Sequence, residues 1–169
     1  MAARLGEFGW NGLVLTPYFG PRVRFNSIIT NAPLVANPMY EGPALCQPDR
    51  CNLLCTRVCP AEALPEKERE EVAIGGRRFQ YSKIDGIRCQ YGVLGLVKGS
   101  GCYAGVEIPP GPGKAEDMWG MMEKRNPIDR LLYENCFGII CGDFCGRCLH
   151  QCPAHIYSRT AVKPKKASA

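Results

Sequence analysis

The sequence has little of what marks a membrane-spanning, secreted or hydrolytic protein. No stretch approaches the ~18 consecutive apolar residues of a membrane span, and no apolar signal segment stands near Met1. Only two of the 169 residues are His, no Ser/His/Asp set is apparent, and no two carboxylates stand at a spacing that singles out an acid/base pair. The Gly- and Pro-rich stretch from Lys98 to Gly113 lacks the G-x4-G-K-[ST] pattern, so it reads as a connector and not a phosphate loop. An odd cysteine count, 11, rules out a complete set of intramolecular disulfides. The expectation is a protein without a membrane span whose thiols are kept reduced in a cytoplasm.

What the chain does have is cysteine in two ordered runs. Near the C-terminus stands Cys145-Gly-Arg-Cys148-Leu-His-Gln-Cys152-Pro153, and earlier Cys46-Gln-Pro-Asp-Arg-Cys51-Asn-Leu-Leu-Cys55-Thr-Arg-Val-Cys59-Pro60. A C-x2-C turn brings two thiolates to one side of a tight loop with backbone N–H groups facing sulfur. C-x3-C adds a third one helical turn on, and the Pro turns the chain away. One such run also suits zinc or redox thiols, but two runs that both close in Cys-Pro fit the two-cluster bacterial ferredoxin arrangement.

The rest of the composition agrees with a protein held by metal clusters. An apolar content of 46% is ordinary for one globular domain, while 19 Gly and 14 Pro make the chain turn-rich, so clusters acting as cross-links would supply part of the stability. The formal charge of +5 omits eight ligating thiolates and two oxidised clusters. With them the balance falls to roughly +1, which gives little support to nucleic-acid binding.

In order along the chain, Gly12 to Thr16 and Val23 to Thr30 read as two strands joined by a Gly/Pro turn. Cys51 to Cys59 suits a short helix with three thiols at i, i+4 and i+8 on one face. Glu66 to Glu71 is a solvated charge run, and Gly75-Gly76 between β-prone runs signals a tight hairpin. Helical patterning covers Ile84 to Val97, Ala115 to Arg125 and Pro127 to Asn135, and Lys163 to Lys166 forms a basic tail. The expected fold class is α+β. A hairpin segment over 1–44 precedes a two-cluster ferredoxin-like domain over 45–160, and the basic tail covers 161–169.

Leu5-Gly-Glu-Phe-Gly-Trp-Asn-Gly12, the ending Ile28-Ile-Thr30, the closure Cys59-Pro-Ala-Glu-Ala-Leu64, an isolated Cys89 and the final C-x2-C-x3-C-P carry a resemblance. Together they resemble the C-terminal iron-sulfur part of epoxyqueuosine reductases and corrinoid reductive dehalogenases. The resemblance implies one [4Fe-4S] cluster on Cys46, Cys51, Cys55 and Cys152, and a second on Cys59, Cys89, Cys145 and Cys148. Cys102, Cys136 and Cys141 are left over and read as small buried hydrophobes.

Two departures qualify it. The first run is C-x4-C-x3-C-x3-C-P where the family has C-x2-C-x2-C-x3-C-P, which leaves Cys141 as an alternative to Cys46. The corrinoid-holding catalytic domain that precedes this region in the family is absent from the sequence, so neither nucleoside reduction nor dehalogenation transfers to it. Either a separate subunit supplies the catalytic part, or the chain is a fragment or a repurposed module; the expectation is an electron-transfer module for a redox partner or catalytic subunit, with a corrinoid only on a partner domain. The alternative is a structural zinc protein using the same thiols. A corrinoid enzyme complete within 169 residues is disfavoured, since so large a macrocycle needs its own pocket. His150 and His155 are candidates for hydrogen bonds that tune a cluster, although surface or packing roles suit them as well. Trp10 and Trp119 read as core or interface anchors.

Overall fold

The computed structural model describes residues 5–35, 37–98, 107–124 and 145–156. Cys102, Cys136, Cys141, the expected helix from Pro127 to Asn135 and the basic tail lie outside the described residues.

Two small antiparallel hairpins and five short helices make up the regular structure of the described residues. β1 (Glu7–Phe8) pairs with β2 (Val14–Leu15), with Glu7 opposite Leu15. β3 (Arg69–Ile74) pairs with β4 (Arg77–Ser82) in a six-residue ladder. Gly75 and Gly76 both have positive φ, 57° and 79°, which a two-residue hairpin turn of matching twist requires. The hairpins meet edge to edge: Phe8 packs on Phe79 and Tyr81 at ring separations of 5.8 and 5.4 Å, and Ser82 N donates to Trp10 O at 2.8 Å.

Near the N-terminus the pairing differs from the sequence expectation. Val14–Leu15 folds back onto Glu7–Phe8, closed by Gly9 N donating to Leu13 O at 2.8 Å, and does not pair with Val23 to Thr30. Residues 23–30 form no strand, because no other segment of the described chain offers them a ladder. Ile28, Ile29, Leu34 and Val35 consequently stand in solvent, at 88%, 102%, 76% and 92% exposure.

The expected helix through Cys51 and Cys59 is broken. α1 (Pro48–Cys51) ends at Asn52 and α2 (Leu54–Arg57) starts at Leu53, both in the left-handed region with φ of 48° and 47°. The break turns the run of cysteines into a curve, so its thiols do not share one helix face. α3 (Gly86–Val93) is capped by Asp85, whose side chain accepts from Arg88 N at 2.9 Å. α4 (Ala115–Glu123) lies against it, with the Tyr91 hydroxyl donating to Lys114 O at 2.7 Å. α5 (Arg147–His150) packs on α2 and brings the last cysteines back to the first run.

Two apolar clusters hold these pieces. Ala61, Ala63, Tyr91, Leu96, Val97 and Met121 form the larger, against which Cys59 packs. Leu15, Leu45 and Ala154 form the smaller, flanked by Cys46 and Cys152. Cysteines thus sit at the rim of both cores. No helix among the described residues is long and apolar enough to cross a membrane.

Candidate metal centre

Cys46, Cys51, Cys55 and Cys152 line one pocket, walled otherwise by residues such as Trp10, Leu15 and Leu45. Three come from the curved run around α1 and α2, and the fourth arrives 97 residues after Cys55 behind α5. The eight described cysteines carry free thiols.

Electrostatics trace the neighbourhoods. Burial pushes the Cys46 thiol up to about 12, the Trp10 N–H pulls it back, and the thiols of Cys55, Cys152 and Cys51 raise it further. Cys55 rises to about 11, first by burial and then against the pull of Thr56, with Cys152 and Cys51 adding to it. Burial also raises Cys152, whose charged neighbours are Cys51 and the Arg22 guanidinium. In a second neighbourhood, burial, then Cys59, Cys145 and Asp85 raise Cys89. Burial followed by Cys59, Cys145, Cys89 and Cys55 pushes Cys148 up to about 12. The Cys148–Cys55 pair, across the α2–α5 contact, bridges the two groups.

The thiols therefore fall into two neighbourhoods, the first of which lines a pocket. Among the described residues no three His, Cys, Asp or Glu side chains converge on one point closely enough to share a single metal ion. A cubane makes a different demand, since each thiolate meets its own corner iron.

Two further observations suit a cluster. Backbone N–H groups point at sulfur: Trp10 N to Cys46 Sγ at 3.2 Å and Ala63 N to Cys59 Sγ at 3.3 Å. Such donors stabilise a thiolate more than a thiol. Thr56 Oγ1 is buried with no hydrogen-bond partner, yet close enough to Cys55 to pull its thiol down. All-thiolate donors with N–H groups aimed at sulfur are the chemistry an iron-sulfur cluster requires.

Several neighbours of the thiols were not legible in the sequence. Arg22 reaches from the N-terminal segment to His155 Nδ1 at 2.6 Å and to the His150 carbonyl. Gly20, at φ 57°, lets this loop sit against His155, whose N would lie 2.9 Å from an added Cβ. Of the two histidines, His155 faces Arg22 and the Cys152 carbonyl at 3.3 Å, and His150 contributes its carbonyl. Neither ring makes a hydrogen bond to sulfur here. Trp10 anchors the site as expected, its indole N–H donating to Pro65 O at 3.2 Å, whereas Trp119 is 62% exposed.

No protein-family profile matches the chain, and no solved structure matches it. Over 119 residues, 69% of its length, the chain is 31% identical to the tetrachloroethene reductive dehalogenase of Sulfurospirillum multivorans. It spans 23% of that protein. Over that stretch the chain is similar to part of a reductive dehalogenase.

Proposed function

We propose that this chain is an electron-transfer module with two [4Fe-4S] clusters, one on Cys46, Cys51, Cys55 and Cys152 and the other on Cys59, Cys89, Cys145 and Cys148. The observation that carries the reading is the pocket into which the first four thiols face, three from one run and one from the other. When bound, each cluster supplies a site that takes up and releases one electron at a time.

The chain's own residues do the remaining work. Leu15, Leu45 and Ala154 keep water from the first site, and Ala61 and Ala63 back the second beside Cys59. The Trp10 and Ala63 N–H donors hold negative charge on sulfur. The contact between α2 and α5 brings Cys55 and Cys148 into one neighbourhood between the two sites.

Catalysis in this reading belongs to a partner polypeptide of a reductase, corrinoid-dependent in the manner of epoxyqueuosine reductases. The exposed strap from Phe25 to Val35 supports a partner: its Ile and Val side chains are unburied, and residues 24–30 make no backbone hydrogen bond within the described chain. Both ends of the strap are tied beside the first thiol group, by Arg22 to His155 and by Glu7 accepting from Cys46 N at 3.0 Å.

Anaerobic reconstitution tests the proposal. The purified chain is expected to turn brown, absorb broadly near 400 nm and bind about eight irons, with two interacting paramagnets on reduction. A colourless protein that takes up zinc in place of iron would overturn it.

A further inference from the structure

The two thiol groups sit in unequal electrostatic surroundings. Around Cys46, Cys51, Cys55 and Cys152, Trp10 N donates to Cys46 Sγ at 3.2 Å, and the backbone of Thr56 and of Ala154 lowers the Cys55 and Cys152 thiols against burial. The buried, unpartnered Thr56 hydroxyl lies beside Cys55. The Arg22 guanidinium is clamped over the Cys152 turn by His155 Nδ1 at 2.6 Å and the His150 carbonyl. A second guanidinium, Arg57, reaches the Cys51 carbonyl at 3.5 Å. The nearby carboxylate of Glu7 is spent on the Leu45 and Cys46 N–H groups.

Around Cys59, Cys89, Cys145 and Cys148, the balance differs. One backbone donor, Ala63 N, reaches Cys59. The Asp85 carboxylate, itself accepting from Arg88 N and Gly113 N, adds to the charges that raise Cys89, which is exposed. The buried cation on this side, Arg88, is engaged by the Ala61, Pro109 and Gly111 carbonyls and by Glu62. Arg147 lies between Cys145 and Cys148 in sequence but points to solvent.

Positive charge and N–H or O–H donors at sulfur stabilise the reduced, more negative state of a cluster, and a carboxylate disfavours it. Resting on the two-cluster reading above, we infer that Arg22 and Thr56 are positioning residues that make the Cys46/Cys51/Cys55/Cys152 site the higher-potential one. An electron delivered by a one-electron donor to the Cys59/Cys89/Cys145/Cys148 side settles on the other. The accepting side is also the one from which the apolar strap springs, so the fold sets a direction of flow toward the partner.

The test is a potentiometric titration of the reconstituted full chain with dithionite, followed by electron paramagnetic resonance, in the native sequence and in Arg22→Gln, Arg22→Lys, Thr56→Val and Thr56→Ser. Iron content comes first. Far fewer than about eight irons in the native protein sinks the two-cluster reading itself. With the irons in place, two separate couples are expected. R22Q and T56V should each lower the upper one by up to about tenfold in the reduced-to-oxidised ratio at fixed potential, equal to ~59 mV for one electron. R22K and T56S should stay near the native value, a rescue that a purely structural role does not predict. Movement of the lower couple alone, equal movement of both, or none overturns the inference. If R22Q does not hold its iron, the Thr56 pair decides.

Discussion

The backbone N–H of Trp10 donates to Cys46 Sγ at 3.2 Å across 36 residues, tying the N-terminal hairpin to the first cysteine of the chain. In the proposed ligand set Cys46, which shares a pocket with Cys51, Cys55 and Cys152, is the thiol that completes the first site. Replacing Cys46 by Ala is expected to reduce reconstituted iron from about eight to about four per chain, whereas Cys141→Ala should retain the full complement. Iron and sulfide assays on the two variants decide it. Equal loss in both would transfer the role to Cys141.

The metal-free form should be alkali-sensitive. The thiols of Cys46 and Cys148 are pushed up to about 12 and that of Cys55 to about 11, from an ordinary value of 9.0. A folded-state pKa above the unfolded one means that the folded chain holds the proton more tightly. The stabilisation is therefore complete below pH 9.0 and is lost as pH rises through the folded values. Urea midpoints of the metal-free protein should be flat in this respect up to about pH 9 and then fall. Replacing Cys46 by Ser should flatten part of the descent.

Asp85 ties α3 to the loop before α4. Burial tends to raise its carboxyl, but N–H groups of Arg88, Gly113 and Ile87 and the Arg88 charge outweigh burial and hold it below the model-compound range of 3.8. The sign runs opposite to that of the thiols: the stability is present above 3.8 and is lost as pH falls through the depressed value. Asp85→Ala should cost about 1–2 kcal/mol at pH 7, from the lost helix cap and the lost bond to Gly113 N. Thermal or urea unfolding at pH 7 and at pH 3 checks it, the difference between Asp and Ala shrinking at the lower pH.

Arg88 is the strut beneath the same helix. Its guanidinium bonds the carbonyls of Ala61 at 2.8 Å and Gly111 at 2.6 Å and the carboxylate of Glu62 at 3.2 Å, and Lys has no fork to match that arrangement. Arg88→Lys should therefore destabilise by about 1–3 kcal/mol, and Arg88→Met by at least as much. Equal stability of Arg88→Lys and the native chain would show that the fork geometry is not used.

The strap makes an inverse prediction. Because Ile28 and Ile29 are 88% and 102% exposed, Ile28→Asp with Ile29→Asp should leave the unfolding midpoint within about 0.5 kcal/mol of native. The double change should reduce self-association and dye binding at the exposed patch. A large loss of stability would mean that the strap packs on its own chain.

Local signals were legible in the sequence, and distant ones were not. Gly75-Gly76 specified its hairpin because a two-residue turn with φ above zero needs nothing beyond its own residues. The helix Gly86–Val93, within the helical patterning of Ile84 to Val97, is local in the same way, although its cap at Asp85 emerged only in the structure. Pairing of Val14–Leu15 was not legible, since two β-prone runs flank it and only tertiary contacts such as Phe8 on Phe79 select Glu7–Phe8. Asn52 and Leu53 gave no warning of a left-handed break. Leu is a poor residue for that conformation, and the surrounding curve of cysteines over-determines it. Thiol neighbourhoods came from resemblance and not from spacing, because spacing cannot say which remote turns meet. Arg22 stood in the sequence as one cation among 21 Lys and Arg.

Each thiol neighbourhood draws on both ends of the polypeptide: Cys152 sits with Cys46, and Cys145 and Cys148 sit with Cys59. The two closures interlock like links sharing a clasp, so neither volume can be enclosed until the last of these residues has left the ribosome. In the proposed two-cluster arrangement metal loading follows synthesis of the last cysteines, and a nick between residues 60 and 144 would leave the halves joined through the metal.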